Sequence, residues 1–381
     1  MGAGILTASY APTAPLTEAE EAFLARLDTA RLTHPGNRCA RYLNRDLFLS
    51  LTIAQREMLH RCCRSGAENL DSAIGCYILH PGNLRELQPF FLPLLRDYHQ
   101  LSATDRLVSG WDAKEGREGG GLDLATLGLP PVSMRVRVAR NLEGFNLPGS
   151  MTRAERIRFE KAMVQSLRAL IERPEYGGRV YSLTPEFAAN EPNPNLITRR
   201  EHQQLVDAHI MFKDMTADRY LASAGLAADW PYGRACYVSA DRGVIVWLGE
   251  EDHLRIMCMQ TGTRLDEVVD RLREILAVVE SLPGITFAHD EQFGYITSCP
   301  SNLGTGLRPS VHVALPHLTR NGGDVTAACE RLGLSVCGVT GDHTPIAADG
   351  ILALSPTRRL FISERDIVKT LFEGIRKLPD H

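Results

Sequence analysis

The stretch AKEGREGGGLDLATLGLPP divides this chain in two. Gly119, Gly120 and Gly121 stand in a row and Pro130 and Pro131 form a pair. Neither run sustains a helix or a central strand, so regular structure must break between the parts. Upstream, the first hundred residues hold helix-like stretches and no alternating strand. Downstream of about residue 130, short strands appear between helices, at 244–248, 294–297, 311–315 and 350–354. The expected fold class is α+β: a small all-helical N-terminal domain over 1–100, a linker over 101–131, and a larger α+β domain over 132–381. A chain of 381 residues is long enough for two or three domains at roughly 100–200 residues each.

Helix starts are legible. Thr17 with Glu20, Thr152 with Glu155, and Thr198 with Glu201 each have the S/T-x-x-E form in which cap hydroxyl and third-position carboxylate satisfy two orphan amides. Apolar stripes follow: Ile157, Phe159, Met163, Leu167 and Leu170 in one helix, and Leu265, Val268, Val269, Leu272, Ile275, Leu276 and Val279 in another.

With 42 basic and 46 acidic residues the net charge is -4, which gives no global attraction to nucleic acid or anionic lipid. Neither partner is expected. Phosphate chemistry would have to come from a local arginine cluster. The nine cysteines form no CxxC pair, so neither a zinc site nor a disulfide framework is indicated. The N-terminus has no basic segment before Arg26, and no apolar run reaches the ~18 residues that span a bilayer, so a reduced, cytoplasmic chain is expected.

The familiar phosphate signatures are missing: there is no GxxxxGK[ST] loop, no HRD or DFG tripeptide, and no third glycine after Gly304-Thr305-Gly306. HExxH and EF-hand loops are absent as well. Three arginine-bearing segments remain. Arg135 and Arg137, two residues apart, would share one face of an extended segment. The run Glu250-Glu251-Asp252-His253-Leu254-Arg255 follows an apolar strand, and the run from Cys299 to Arg308 joins a thiol, a glycine-rich turn with amides to offer, and an arginine. Converging guanidinium groups bind phosphate bidentately and stay charged, so together they would clamp a nucleotide triphosphate. Plainer readings exist for each: an exposed strand face, a solvated acidic turn, a buried small thiol, a packed His209 on the helix from Thr198, and a His312 that merely alternates into a strand.

The runs EEDHLRI, CPSNLGTGLRPSVHVALPHL, SMRVRVARN and SGAENLDSAIGCY together resemble the phosphagen (guanidino) kinases, the arginine kinases above all, in the right order from about residue 20 to the C-terminus. The resemblance implies a helical domain plus a domain built on an antiparallel β-sheet flanked by helices. It implies that Arg135, Arg137, Arg255 and Arg308 hold the phosphates of ATP or ADP, that His209 contacts the nucleotide, and that Mg²⁺ arrives held mainly by the phosphates. Glu251 would grip the substrate guanidinium beside Cys299, and Asp342 would supply a second carboxylate. Ser72, Ala73, Ile74, Gly75 and Tyr77, in a loop over 71–77, would hold the amino-acid end of a small guanidino substrate, L-arginine first. The implied roles make chemical sense: a guanidinium nitrogen becomes a nucleophile only when a carboxylate aligns it and takes its proton, and a thiolate at Cys299 would be stabilised by the substrate cation.

Where arginine kinases carry an RGTRGEHT-like loop this chain reads Cys337-Gly338-Val339-Thr340-Gly341-Asp342-His343-Thr344. Cys337 and Thr340 stand in place of arginines, and Asp342 is one methylene shorter than the usual glutamate. Losing one clamp arginine is expected to lower the rate by roughly 10² to 10³, by analogy with an oxyanion donor. The alternatives are therefore a family member that binds nucleotide or guanidine with little turnover, or a kinase for another small guanidine. Oligomeric state is not encoded in these motifs.

Overall fold

A computed structural model describes residues 15–108, 110–111, 121–315, 325–337 and 351–378. The first of these build helices only. Helix α1 (Glu18–Thr33) starts at the Thr17–Glu20 box, and α4 (Ile53–Glu68) at a box made by Thr52 and Gln55. Short helices α2 (Arg38–Tyr42) and α3 (Arg45–Ser50) are each capped by an asparagine, Asn37 and Asn44. Helices α5 (Asn83–Glu86) and α6 (Gln88–His99) complete the group. Among the described residues no strand precedes Val132.

From Val132 onward an eight-stranded antiparallel sheet takes over. It comprises β1 (Val132–Arg140), β2 (Arg179–Ser182), β5 (Ala235–Val238), β6 (Val244–Leu248), β7 (Leu254–Gly262), β10 (Leu307–Ala314), β11 (Leu334–Cys337) and β12 (Ile351–Pro356). Their order is β11-β12-β10-β1-β7-β6-β5-β2. Two small ribbons lie outside it, β3 (Glu186–Ala188) with β4 (Glu191–Pro192) and β8 (His289–Asp290) with β9 (Gly294–Tyr295). The remaining helices are α7 (Arg153–Ile171), α8 (Arg199–Asp207), α9 (Arg219–Ser223), α10 (Leu265–Glu280), α11 (Val325–Glu330) and α12 (Glu364–Lys377). The fold is thus α+β, a helical region followed by a larger antiparallel sheet flanked by helices. None of the described helices is long and apolar enough to cross a membrane.

The stripes of α7 and α10 meet Met134, Val136, Val138, Ile256, Leu307 and Val311 in one core against one face of the sheet. Ile157 and Val269 lie only half-buried at the margins of their stripes. The strand expected at 294–297 shrinks to the two residues of β9, and that at 311–315 is the end of the longer β10. Thr152 does cap α7, but Glu155 does not return to it. Its carboxylate accepts instead from Asn146 N at 2.9 Å and Asn146 Nδ2 at 3.1 Å, so the box opens to fasten the preceding loop. Residues 121–131, read as linker, run as a packed segment in which Leu124 is buried in the sheet core and its N–H donates to Thr263 O at 2.8 Å.

A second core joins the two halves of the chain. Phe23, Leu27, Phe48, Leu59, Phe90 and Phe91 from the helices share it with Phe293, Ile296, Leu303, Leu360 and Phe361.

Candidate active site

Side chains alternate across a strand. On β1 Met134, Val136 and Val138 are buried toward the helices while Arg135 and Arg137 emerge half-buried on the opposite face. Register carries the other arginines to that face. Arg137 pairs directly with Arg308 of β10 and with Met257 of β7. Arg255 pairs with Ala139 on one side and Trp247 on the other, diagonally next to Arg137. The four arginines named from the sequence therefore occupy adjacent strands on one face. Like charges directly opposed in a ladder are unfavourable, so this arrangement suits a surface that receives an anion.

Arg255 is gripped by two acids: Nη1 lies 2.9 Å from Glu250 Oε2 and Nη2 lies 3.1 Å from Glu251 Oε2. Its guanidinium sits 5.4 Å from the centre of the Trp247 ring. Asn302 Nδ2 donates to Glu251 Oε2 at 3.3 Å. Burial pushes the Glu251 carboxyl up to about 8; Arg255 pulls the other way, and Glu250 and Asp252 push with burial. Glu250 has no individual role in the sequence reading of this run, and the geometry gives it Arg255 as a partner.

Asp252 and His253 of the same run face inward. Asp252 Oδ1 accepts from Asn141 Nδ2 at 2.7 Å and from Ser298 N at 2.6 Å. His253 Nδ1 accepts from Leu142 N at 3.0 Å, which leaves Nε2 to donate to Asn146 O at 3.0 Å. The ring is therefore neutral, and burial pushes its pKa down to about 3. These two residues hold the turn that presents Glu251.

Cys299 is buried, with Sγ 3.0 Å from Ser301 Oγ. Burial first and the Glu251 charge second push the thiol upward, so without a substrate cation it stays protonated. Two of the amides expected from the following turn are already bonded elsewhere. Gly304 N donates to Tyr295 O at 3.2 Å and Thr305 N to Arg359 O at 3.1 Å. Gly304, with φ +100°, is needed because a Cβ there would stand 2.6 Å from Arg359 O. The turn is fixed from behind: Arg359 Nη1 donates to Ser301 O at 2.7 Å, and His99 Nε2 lies 3.0 Å from Pro300 O.

The loop over 71–77 reaches this centre from the helical region. Cys39 N donates to Ile74 O and Gly66 N to Gly75 O, each at 2.8 Å, and Ile78 N donates to Ser298 O at 2.7 Å, next to Cys299. Ser72 and Gly75 are buried, Ile74 and Tyr77 half-buried, and Ala73 exposed. Burial raises the Tyr77 phenol, with the Cys299 and Glu251 charges adding to it. Asp71, the first residue of the loop, is paired with Arg219 of α9 and accepts from Tyr220 OH at 3.2 Å.

His209 is not helical. Helix α8 ends at Asp207, and His209 follows exposed with φ +58°. His312, half-buried on β10, joins the arginine face through strand parity with Arg308, and burial, then Arg135, then His209 lower its pKa. Arg308 Nε donates to Ser355 Oγ at 3.1 Å and Nη2 to Cys337 Sγ at 3.4 Å. Thr340 and Asp342 lie outside the described residues.

A family model described as ATP:guanido phosphotransferase, C-terminal catalytic domain, matches residues 159–381. The arginine kinase of Homarus gammarus is 33% identical over 373 residues, which cover 97% of this chain and 98% of that protein. The arginine kinase of Anthopleura japonica is 32% identical over 358 residues, covering 91% of this chain and 46% of that protein. Among solved structures, the duplicated taurocyamine kinase from Schistosoma mansoni with bound transition state analog components superposes with a TM-score of 0.79 at 28% identity, over 95% of this chain and 48% of that one. The chain thus spans about half the length of these last two proteins and nearly all of the Homarus protein.

Proposed function

The chain belongs to the ATP:guanido phosphotransferase family, the phosphagen kinases, and we propose that it moves the γ-phosphoryl group of ATP reversibly to a guanidino nitrogen, with L-arginine as acceptor. The observation that carries this reading is the position of Glu251: a carboxyl with a pKa near 8, hydrogen-bonded by Arg255 and Asn302, beside Cys299 and at the edge of a four-arginine face. In the proposed arrangement Arg135, Arg137, Arg255 and Arg308 hold the triphosphate oxygens, with His209 and His312 toward the rest of the nucleotide. Glu251 and Cys299 hold the guanidinium, Asp342 adds a second carboxylate, and Ser72, Ala73, Ile74, Gly75 and Tyr77 hold the other end of the acceptor.

As the new P–N bond forms, the bond from the γ-phosphorus to the bridging oxygen of ADP breaks, and the nitrogen's proton passes to Glu251. A base with a pKa close to the working pH is well matched to that transfer. Phosphoryl transfer runs through a loose transition state, so alignment and charge neutralisation dominate, and the arginine face supplies both. Mg²⁺, when bound with the nucleotide, neutralises phosphate charge. In the proposed arrangement phosphate oxygens and water would carry the cation; among the described residues no group of three His, Cys, Asp or Glu side chains is placed to hold a metal.

The arginine kinases at 32–33% identity support arginine as acceptor. A different small guanidine is the second reading, favoured by the similarity to a taurocyamine kinase. Incubation with MgATP and a panel of guanidino compounds, followed by phosphorus NMR for the P–N signal and by ADP release, tests both. Nucleotide binding without turnover on any acceptor would leave only a binding protein. Glu251→Gln is expected to lower turnover by about 10² to 10⁴ with nucleotide affinity nearly intact.

A further inference from the structure

We infer that Ser355 is a positioning residue for Arg308, and that Ser335 sets the direction of the hydrogen bond through which it acts. The inference rests on the reading of Arg308 as a phosphate ligand. Arg308 Nε lies 3.1 Å from the hydroxyl of Ser355, which is only 2% exposed. Ser335 Oγ lies 3.0 Å from that hydroxyl and 3.1 Å from the Ser355 carbonyl oxygen.

A count of hydrogens fixes every donor. A carbonyl only accepts, so Ser335 must donate its single hydroxyl proton to Ser355 O. The Ser355 hydroxyl then donates to Ser335 Oγ. The lone pairs of Ser355 Oγ are left for Arg308 Nε–H, which can only donate. The sequence Arg308 to Ser355 to Ser335 to the Ser355 carbonyl closes without conflict, and each bond polarises the next.

The reason for such a tether lies across the sheet. Arg308 stands directly opposite Arg137, and like charges opposed in a ladder are unfavourable, so a fixed guanidinium plane helps hold the pair ready for an anion. An untethered arginine would rotate away and would have to be re-ordered on binding. Holding Nε, where the fork joins its stem, fixes the guanidinium plane, and the Nη2 contact with Cys337 Sγ at 3.4 Å settles its rotation.

The test compares the KM and Kd of the Mg-nucleotide with the KM of the guanidino substrate in single and double variants. Ser355→Ala should weaken nucleotide binding about tenfold and leave the guanidino KM unchanged. Ser355→Thr keeps a hydroxyl and should recover most of the loss. Ser335→Ala should show a smaller loss of the same kind. In an Arg308→Lys background, which lacks an Nε–H, Ser355→Ala should add nothing. An undiminished Ser355→Ala effect in that background, or equal rises in both KM values, overturns the inference. Unchanged nucleotide affinity in Arg308→Lys alone would instead bring down the phosphate-ligand reading, and the tether with it.

Discussion

Arg137 and Arg308 face each other directly across the β1–β10 ladder, 171 positions apart in the chain. Opposed like charges lower stability by roughly 0.2–1 kcal/mol. Arg137→Gln should abolish most of the rise in melting temperature that MgADP produces. For the unsubstituted protein that rise should correspond to about 2.7 kcal/mol at a hundredfold excess over Kd. Differential scanning fluorimetry with and without nucleotide checks it, and an undiminished MgADP rise in the variant would contradict the role given to Arg137.

Glu251 gives a pH dependence with a definite sign. Its carboxyl rises from the usual 4.5 to about 8 in the folded, substrate-free protein. It therefore carries a proton at pH 7 and must release it to meet a guanidinium cation. Acceptor affinity should increase about tenfold per pH unit up to about 8 and then level off. Calorimetric titration in buffers of different ionisation enthalpy should register close to one proton released at pH 7; none released would mean that Glu251 does not meet the cation.

The same shift bears on folding. A carboxyl whose folded pKa is raised supports the folded state below its unfolded pKa and loses that support as pH climbs to about 8. The share of ligand-free stability that depends on Glu251 should thus decline between about pH 4.5 and 8, while the buried neutral His253 adds support as pH rises to about 6.5. Glu251→Gln should flatten the decline in urea unfolding curves recorded across that range.

Cys337 ends β11 against the Arg308 fork, at the position where the related loop carries an arginine. Cys337→Arg should raise turnover by about tenfold or more, since a missing phosphate donor typically costs 10² to 10³ in rate. Ligand-free stability should fall slightly because a further like charge joins the face. Steady-state rates beside melting curves separate the two effects, and an unchanged rate would show the clamp complete with four arginines.

Gly75 turns with φ +78°, and a Cβ on it would meet Asn37 Oδ1 and Cys39 Cβ at 2.8 Å and Gly66 Cα at 2.9 Å. Gly75→Ala should destabilise the protein by about 1–3 kcal/mol and raise the KM of the guanidino substrate more than that of nucleotide. Circular-dichroism melts and two-substrate kinetics follow both quantities.

What the sequence made legible was local. Alternation put Arg135 and Arg137 on one face of β1, and the boxes at Thr17 and Thr198 start helices as expected. Long-range geometry was not legible. Nothing near Asp252 and His253 announces that Asn141, Ser298 and Asn146 will turn them inward. Gly304 looks like a donor of amides until Tyr295 and Arg359 arrive to occupy the neighbourhood. His209 continues a helical run in sequence, yet α8 stops two residues short and a left-handed backbone redirects it. Glu250 reads as a solvated acid, and only β7 brings Arg255 against it.

The shared core of the helical region has a consequence for inactivation. Ile296, Leu303 and Leu360, which bracket the turn bearing Cys299, pack with Phe90 and Phe91. The turn bearing Cys299 therefore belongs, by its apolar contacts, to the helical unit and not to the sheet that follows it in the chain. Any heat or denaturant that loosens the helices withdraws the floor beneath Glu251 and Cys299 while the arginine-bearing strands are still paired, so chemistry should be lost before nucleotide binding.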